Sequence, residues 1–194
     1  MAVSICGIIL AAGLSSRAGI FKLTFRICSK PVIEHVVETM SHVCQSIIVV
    51  TGYQAEKLSY LGAQYENIRL IRNERYNEGM FGSVKSGLNL SDADRFFIIP
   101  GDCACVSPRT YSSLAQADGD IVVPVYNGRK GHPVLIGRAA AASILESRFP
   151  TLRDHILAAG FRTFETDDAG ILMDIDCPED IARAELYLSG RHTL

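Results

Sequence analysis

The chain has 194 residues, 48% of them hydrophobic, and its 19 basic and 21 acidic side chains nearly cancel. That length fits one domain, residues 1–194, with a sizeable core, and the balanced charge argues against a protein built to bind nucleic acid or an anionic membrane surface. The apolar run from Val3 to Ala12 is too short to span a bilayer and lacks a basic leader. Six scattered cysteines contain no CxxC pair, which argues against a zinc site and fits reduced thiols in a cytoplasm, with Cys103 and Cys105 as incidental semi-buried thiols.

In chain order, short apolar runs rich in Ile and Val recur at Ser4–Leu10, Ser46–Thr51, Ile68–Ile71, Phe96–Pro100, Ile121–Val125, Val134–Ile136 and Ile171–Ile175. Such runs read as strands buried on both faces. Between them, helical spacing marks Pro31–Ser41, Gln54–Leu61, Phe81–Leu90, Pro108–Ala117, Arg138–Ser147 and Pro178–Leu188. Alternating strands and helices predict an α/β fold: three layers, Rossmann-like, with a mostly parallel sheet. Two stretches depart from that rhythm. Phe161–Thr166 and Ile171–Ile175 flank the turn-forming Asp167-Asp168-Ala169-Gly170, which predicts one antiparallel hairpin. Asn127 to Pro133 is a glycine-rich loop between two strands.

Ligands of open α/β sheets bind beyond the carboxyl ends of the strands. The segment after the first strand, Leu10-Ala11-Ala12-Gly13-Leu14-Ser15-Ser16-Arg17-Ala18-Gly19-Ile20-Phe21-Lys22, heads that set. Its small residues let backbone N–H groups approach an anion, Arg17 can fork onto phosphate oxygens, and Lys22 adds a compact charge. Gly13 and Gly19 stand one residue too far apart for a P-loop, and no GxGxxG occurs. A plain strand-to-helix connection with a glycine turn is the bland reading. Asp102, after the Phe96–Pro100 strand, serves either a metal beside phosphates or a helix start. Asp176, after the last predicted strand, has the same two readings, because acidic residues favour a helix N-terminus. Asp174 would share its strand face and is the weaker candidate.

The stretch from Leu10 to Leu23 resembles the signature of the MobA-like nucleotidyltransferases. The resemblance extends through Lys30-Pro31-Val32, Gly79-Met80-Phe81-Gly82-Ser83, Pro100-Gly101-Asp102, Gly131-His132-Pro133 and Asp174-Ile175-Asp176-Cys177-Pro178, in the family's order. Within the family it looks most like the branch that includes molybdenum cofactor cytidylyltransferase. The resemblance implies the fold of the nucleotide-diphospho-sugar transferases and transfer of a nucleotidyl group from an NTP to a small phosphorylated acceptor. It assigns Leu10 to Arg17, Lys22, Gly79, Met80 and Ser83 to the nucleotide. It assigns Arg17, Lys22 and Asp102 to catalysis, Asp102 and Asp176 to Mg²⁺, and Gly131, His132 and Pro133 to the acceptor. CTP is favoured because Ala12 stands where the guanylyl-transferring branch tends to have glycine, and molybdopterin is then the expected acceptor. The chain departs from the pattern at Cys103-Ala104-Cys105, where proline usually stands two residues after the aspartate, and in the missing glycines of Thr24–Lys30. A sugar-phosphate acceptor, or a non-catalytic nucleotide- or cofactor-binding module, are the rival readings. No partner nucleic acid or membrane is expected, and a monomer is compatible with the sequence.

Overall fold

The computed structural model describes residues 3–13 and 21–191. Strand β1 (Ile5–Ala11) comes first, and a 3-10 turn at Lys22–Thr24 leads to a small antiparallel pair, β2 (Arg26–Ile27) and β3 (Lys30–Pro31). Then follow α1 (Val32–Ser41), β4 (Ser46–Thr51), the short α2 (Leu61–Gln64), β5 (Ile68–Arg72) and α3 (Met80–Leu88). β6 (Arg95–Pro100) and α4 (Pro108–Leu114) precede β7 (Ile121–Tyr126), β8 (Arg129–Lys130) and β9 (Val134–Gly137). The chain closes with α5 (Arg138–Glu146), α6 (Leu152–Ala159), β10 (Arg162–Glu165), a 3-10 turn at Ala169–Leu172 and α7 (Pro178–Arg191).

The main sheet runs in the order β10-β7-β9-β6-β1-β4-β5, with β8 on β7. β1 lies parallel between β4 and β6, pairing Ile9 with Val49 on one side and with Ile99 on the other. Side chains alternate faces along a strand, and the core divides accordingly. Ile5 and Ile9 of β1, Ile47 and Val49 of β4, and Phe97 and Ile99 of β6 join the cluster that includes α1 and α4. Cys6, Ile8, Ile48, Val50, Phe96 and Ile98 join the cluster that includes α3 and α5. All are buried, and burying one such side chain contributes about 1.5–3 kcal/mol. The strands are therefore apolar on both faces because helices cover both. On α1 the buried positions are Val32, Ile33, Val36, Val37 and Met40, the stripe its spacing predicts.

The sheet is mixed and mostly parallel, as expected, but its antiparallel parts lie elsewhere. β9 runs antiparallel between β6 and β7, and β7 and β8 form a hairpin across Asn127-Gly128. Both turn residues have positive φ, 49° and 73°, as the tight hairpin turns that favour Asn-Gly require. The hairpin predicted around Asp167–Gly170 does not form. β10 lies parallel to β7 instead, and 171–175 is a 3-10 turn followed by extended chain outside the sheet. The cause is Asp168, whose buried carboxylate accepts from the Ser107 and Gly170 backbone N–H groups and from the Thr110 and Tyr187 hydroxyls. The bonds from Ser107, Thr110 and Tyr187 tie this turn to α4 and α7, away from β10. Gln54–Leu61 forms a 3-10 turn at Ala55–Leu58 that runs into α2, not one helix. Among the described residues no helix is long and apolar enough to cross a membrane.

Candidate active site

Four segments meet at the carboxyl edge of the parallel strands. β1 ends at Ala11, and the Leu10 carbonyl accepts the Gly101 N–H at 2.9 Å, so the turn after β6 stands beside the start of the glycine-rich stretch. Ala12 is buried and Gly13 exposed. Leu14, Ser15, Ser16 and Arg17 lie outside the described residues. The chain is described again at Phe21, where the 3-10 turn is pinned by two buried anchors, Phe21 and Leu23, packed in the α1 cluster. The Thr24 hydroxyl closes the turn on the Phe21 carbonyl at 2.8 Å. Lys22 lies between these anchors, its side chain 20% exposed.

Its ammonium donates to two carboxylates at once, Asp102 Oδ2 and Asp176 Oδ1, the latter at 2.7 Å. The Lys22 and Asp102 side chains are mostly covered, whereas Asp176 is 49% exposed. Burial alone would lower the lysine's pKa. Hydrogen bonds and charge from Asp102 and Asp176 more than reverse this, so the ammonium is held above its ordinary range. Three residues far apart in sequence thus form one charged cluster.

Asp176 does not end a strand, contrary to expectation; it sits on the extended segment before α7. The Asp102 carbonyl accepts the Ile175 N–H at 3.1 Å, and Ile175 itself is fully buried. Asp180, in the first turn of α7, accepts the Asp176 and Cys177 N–H groups at 2.9 and 3.1 Å. That is the backward reach of an acidic residue in the third helical position, and it fixes the Asp176 backbone.

The other face of Asp102 meets Cys103 and Asp174. The buried Cys103 thiol donates to Asp174 Oδ1 at 3.1 Å and lies 3.8 Å from Asp102 Oδ1. Burial, then the charges of Asp102 and Asp174, push this thiol well above its ordinary range, so it is a neutral donor. The side-chain oxygens of Asp102 and Asp174 and the Cys103 sulfur lie within 4.8 Å of one another. Sequence reasoning ranked Asp174 below Asp176 and treated Cys103 as incidental. The departure from the family pattern at Cys103 was the signal that this turn differs.

Gly131-His132-Pro133 faces the same cluster. The His132 N–H donates to the Ile171 carbonyl at 3.0 Å, and a Cβ on Gly131 would stand 2.3 Å from that oxygen, so only glycine permits the approach. Burial lowers the His132 pKa, and the charges of Asp174 and Asp102 offset this only in part. The imidazole is therefore neutral at pH 7, and its buried Nδ1 has no hydrogen-bond partner among the described residues. On the other flank, Gly79 precedes α3 with no side-chain cap among the described residues, leaving the first N–H groups of a nine-residue helix at this edge. Met80 is exposed there. Ser83 is buried, its hydroxyl accepting from Asn73 Nδ2 at 3.0 Å.

The family model of the MobA-like NTP transferase domain matches residues 7–165. The chain is 29% identical over 180 residues to the molybdenum cofactor cytidylyltransferase of Escherichia coli (strain K12), covering 92% of this chain and 94% of that protein. It is 32% identical over 127 residues to a probable molybdenum cofactor guanylyltransferase of Bacillus cereus (strain B4264), covering 64% of this chain and 63% of the other. A nucleotidyl transferase from Methanothermobacter thermautotroptrophicus has the same fold, with a TM-score of 0.83 at 24% identity over 96% of this chain and 99% of that one. Asp102 and the His132 loop fall within the matched domain and Asp176 just beyond it. The chain belongs to the MobA-like NTP transferase family and is a nucleotidyltransferase acting on a small phosphorylated acceptor.

Proposed function

We propose that the enzyme transfers CMP from CTP to the phosphate of molybdopterin, with Mg²⁺ held by Asp102 and Asp176 and pyrophosphate released. The observation that carries the centre is the shared ammonium: both carboxylates reach Lys22 Nζ, so both can reach a single cation. Hard carboxylate oxygens with an open side suit Mg²⁺, which takes one or two carboxylates and fills its shell with water and phosphate oxygens. Similarity to the E. coli cytidylyltransferase over nearly its whole length supports CTP and the molybdenum cofactor, while the guanylyltransferase similarity spans about two thirds.

When bound, the metal would neutralise charge on the α-phosphate and the attacking oxygen. The chain's own residues position and balance charge. An acceptor phosphate oxygen forms a bond to the α-phosphorus as the bond from that phosphorus to the bridging oxygen breaks, and pyrophosphate leaves with the electron pair. Lys22, fully protonated, moves from the carboxylates to the α-phosphate oxygens as the nucleotide binds. Arg17 and the amides of Gly13 to Ser16 hold the β- and γ-phosphates and the departing pyrophosphate. A phosphate monoester is largely ionised at neutral pH, so its oxygen needs no general base. Neutral His132 accordingly serves to orient the acceptor, with Gly131 and Pro133 shaping the loop.

The test is calorimetric binding of CTP, GTP, ATP and UTP with Mg²⁺ to the wild type and Asp102→Ala, followed by pyrophosphate release with molybdopterin added. Mg²⁺-dependent CTP binding that the variant loses, with pyrophosphate released only when molybdopterin is present, supports the proposal. Preference for another NTP, or release with a sugar phosphate instead, replaces the substrate and keeps the centre. Nucleotide binding with no release in the presence of any acceptor points to a binding module.

A further inference from the structure

We propose that Cys103 is a positioning residue for this centre: its buried thiol fastens Asp174 beside Asp102 and so holds residues 174–176 where Asp176 can share a cation with Asp102. The inference rests on the transferase reading and deepens it. Segment 173–176 belongs to no strand or helix, so no ladder of backbone hydrogen bonds places Asp176. What holds the segment to the Asp102 turn is local: the buried Ile175 side chain, its N–H on the Asp102 carbonyl, and the Cys103 thiol on Asp174 Oδ1. The Asp176 side chain is held by Lys22 and its backbone by Asp180, whereas the Asp174 side chain is held by the Cys103 thiol. Asp174 is otherwise exposed, and a free carboxylate there would swing in water beside two others.

The thiol also lies against Asp102 Oδ1, the oxygen turned away from Lys22. One buried donor thus holds the Asp174 carboxylate beside that of Asp102. Removing it leaves every charged residue in place and alters only how well they converge, so the defect should appear in metal affinity, not in turnover at saturating metal.

The experiment compares wild type, Cys103→Ala, Cys103→Ser, Asp174→Ala and the Cys103→Ala/Asp174→Ala double variant by two readouts. One is the half-saturating Mg²⁺ for pyrophosphate release; the other is amide hydrogen exchange at Ile175 without nucleotide. Loss of an outer hydrogen-bond partner typically weakens metal affinity about tenfold or more, so Cys103→Ala should raise half-saturating Mg²⁺ about tenfold while saturated turnover stays within about twofold. Cys103→Ser keeps a donor and should recover most of the loss. The double variant should be no worse than either single one, because both break the same contact. Ile175 exchange should rise about tenfold in Cys103→Ala and stay near wild type in Cys103→Ser. Unchanged Mg²⁺ dependence, additive single effects, or unchanged Ile175 exchange in Cys103→Ala each overturns the positioning role. If the wild type releases no pyrophosphate from any NTP, the transferase reading falls by itself, and the exchange readout alone then decides whether Cys103 fastens the segment.

Discussion

Asp168 and Asp176 lie eight residues apart on the segment that crosses the carboxyl edge of the sheet, and their surroundings are opposite. Asp168 is buried and its two oxygens accept from two backbone N–H groups and two hydroxyls. Asp176 is half exposed and its Oδ1 accepts from an ammonium shared with a second carboxylate. A buried carboxylate held by several hydrogen-bond donors is enclosed away from solvent, and it serves to weld elements together. A carboxylate paired with a movable cation at the solvent edge can exchange that cation for another. The lesson is that an acidic residue's partners, more than its position at a strand end, separate architecture from chemistry.

The largest effect that would sharpen this contrast is on catalysis. Asp102→Ala should cut Mg²⁺-dependent transfer about 10³-fold, roughly 4 kcal/mol in the transition state, and lower the thermal transition much less than Asp168→Ala. Asp168→Ala should do the reverse. It leaves several donors buried without a partner, so stability should fall by about 3 kcal/mol. That corresponds to a melting temperature lower by about 6–12 °C for a chain of this size, while the half-saturating Mg²⁺ of the folded enzyme stays put. If Asp168→Ala instead changed Mg²⁺ dependence without lowering stability, the division between the two carboxylates would be wrong.

Lys22→Met splits binding from turnover. With the competing ammonium gone, Mg²⁺ alone should bind about tenfold more tightly, since two carboxylates are left without a counter-charge. Turnover should nevertheless drop about 10²-fold, because the charge meant for the α-phosphate is missing. Weaker Mg²⁺ binding in this variant would break the idea that lysine and metal use the same oxygens. The smallest effect concerns pH. Because the Lys22 pKa is raised on folding, its contribution to stability is complete below the unfolded value, about pH 10.4, and is lost as pH climbs through the higher folded value. The gap in urea midpoint between wild type and Lys22→Met should therefore stay level from pH 8 to about pH 10 and narrow above it. A gap that instead narrows well below pH 10 would contradict the raised pKa.

Much of this was legible in the residues. The Ile- and Val-rich runs mark β1, β4 and β6 because strands covered on both faces need apolar side chains at every position. The stripe on α1 reads directly from its spacing. Lys22, Asp102 and Asp176 were singled out by their charge and their place after predicted strands, the resemblance gave them roles, and the fold brings these three onto one another. The misreadings share a cause. Asp167-Asp168-Ala169-Gly170 has the composition of a hairpin turn, but turn residues do not say whether the following run finds a strand partner. Asn127-Gly128, a stronger hairpin signal, passed for part of a loop. Cys103 passed for an idle core thiol because its partner Asp174 lies seventy-one residues away.

By itself, the sequence determined the layering of helices on a buried sheet and the identity of the charged residues at its edge. Periodicity and side-chain chemistry are local and survive without coordinates. Only the tertiary structure decided which carboxylate is architectural and which faces a cation, where the antiparallel strands lie, and that a thiol braces the segment carrying Asp176. Each of those depends on which groups from distant parts of the chain become neighbours, and burial and hydrogen-bond satisfaction are settled only when the whole chain has packed.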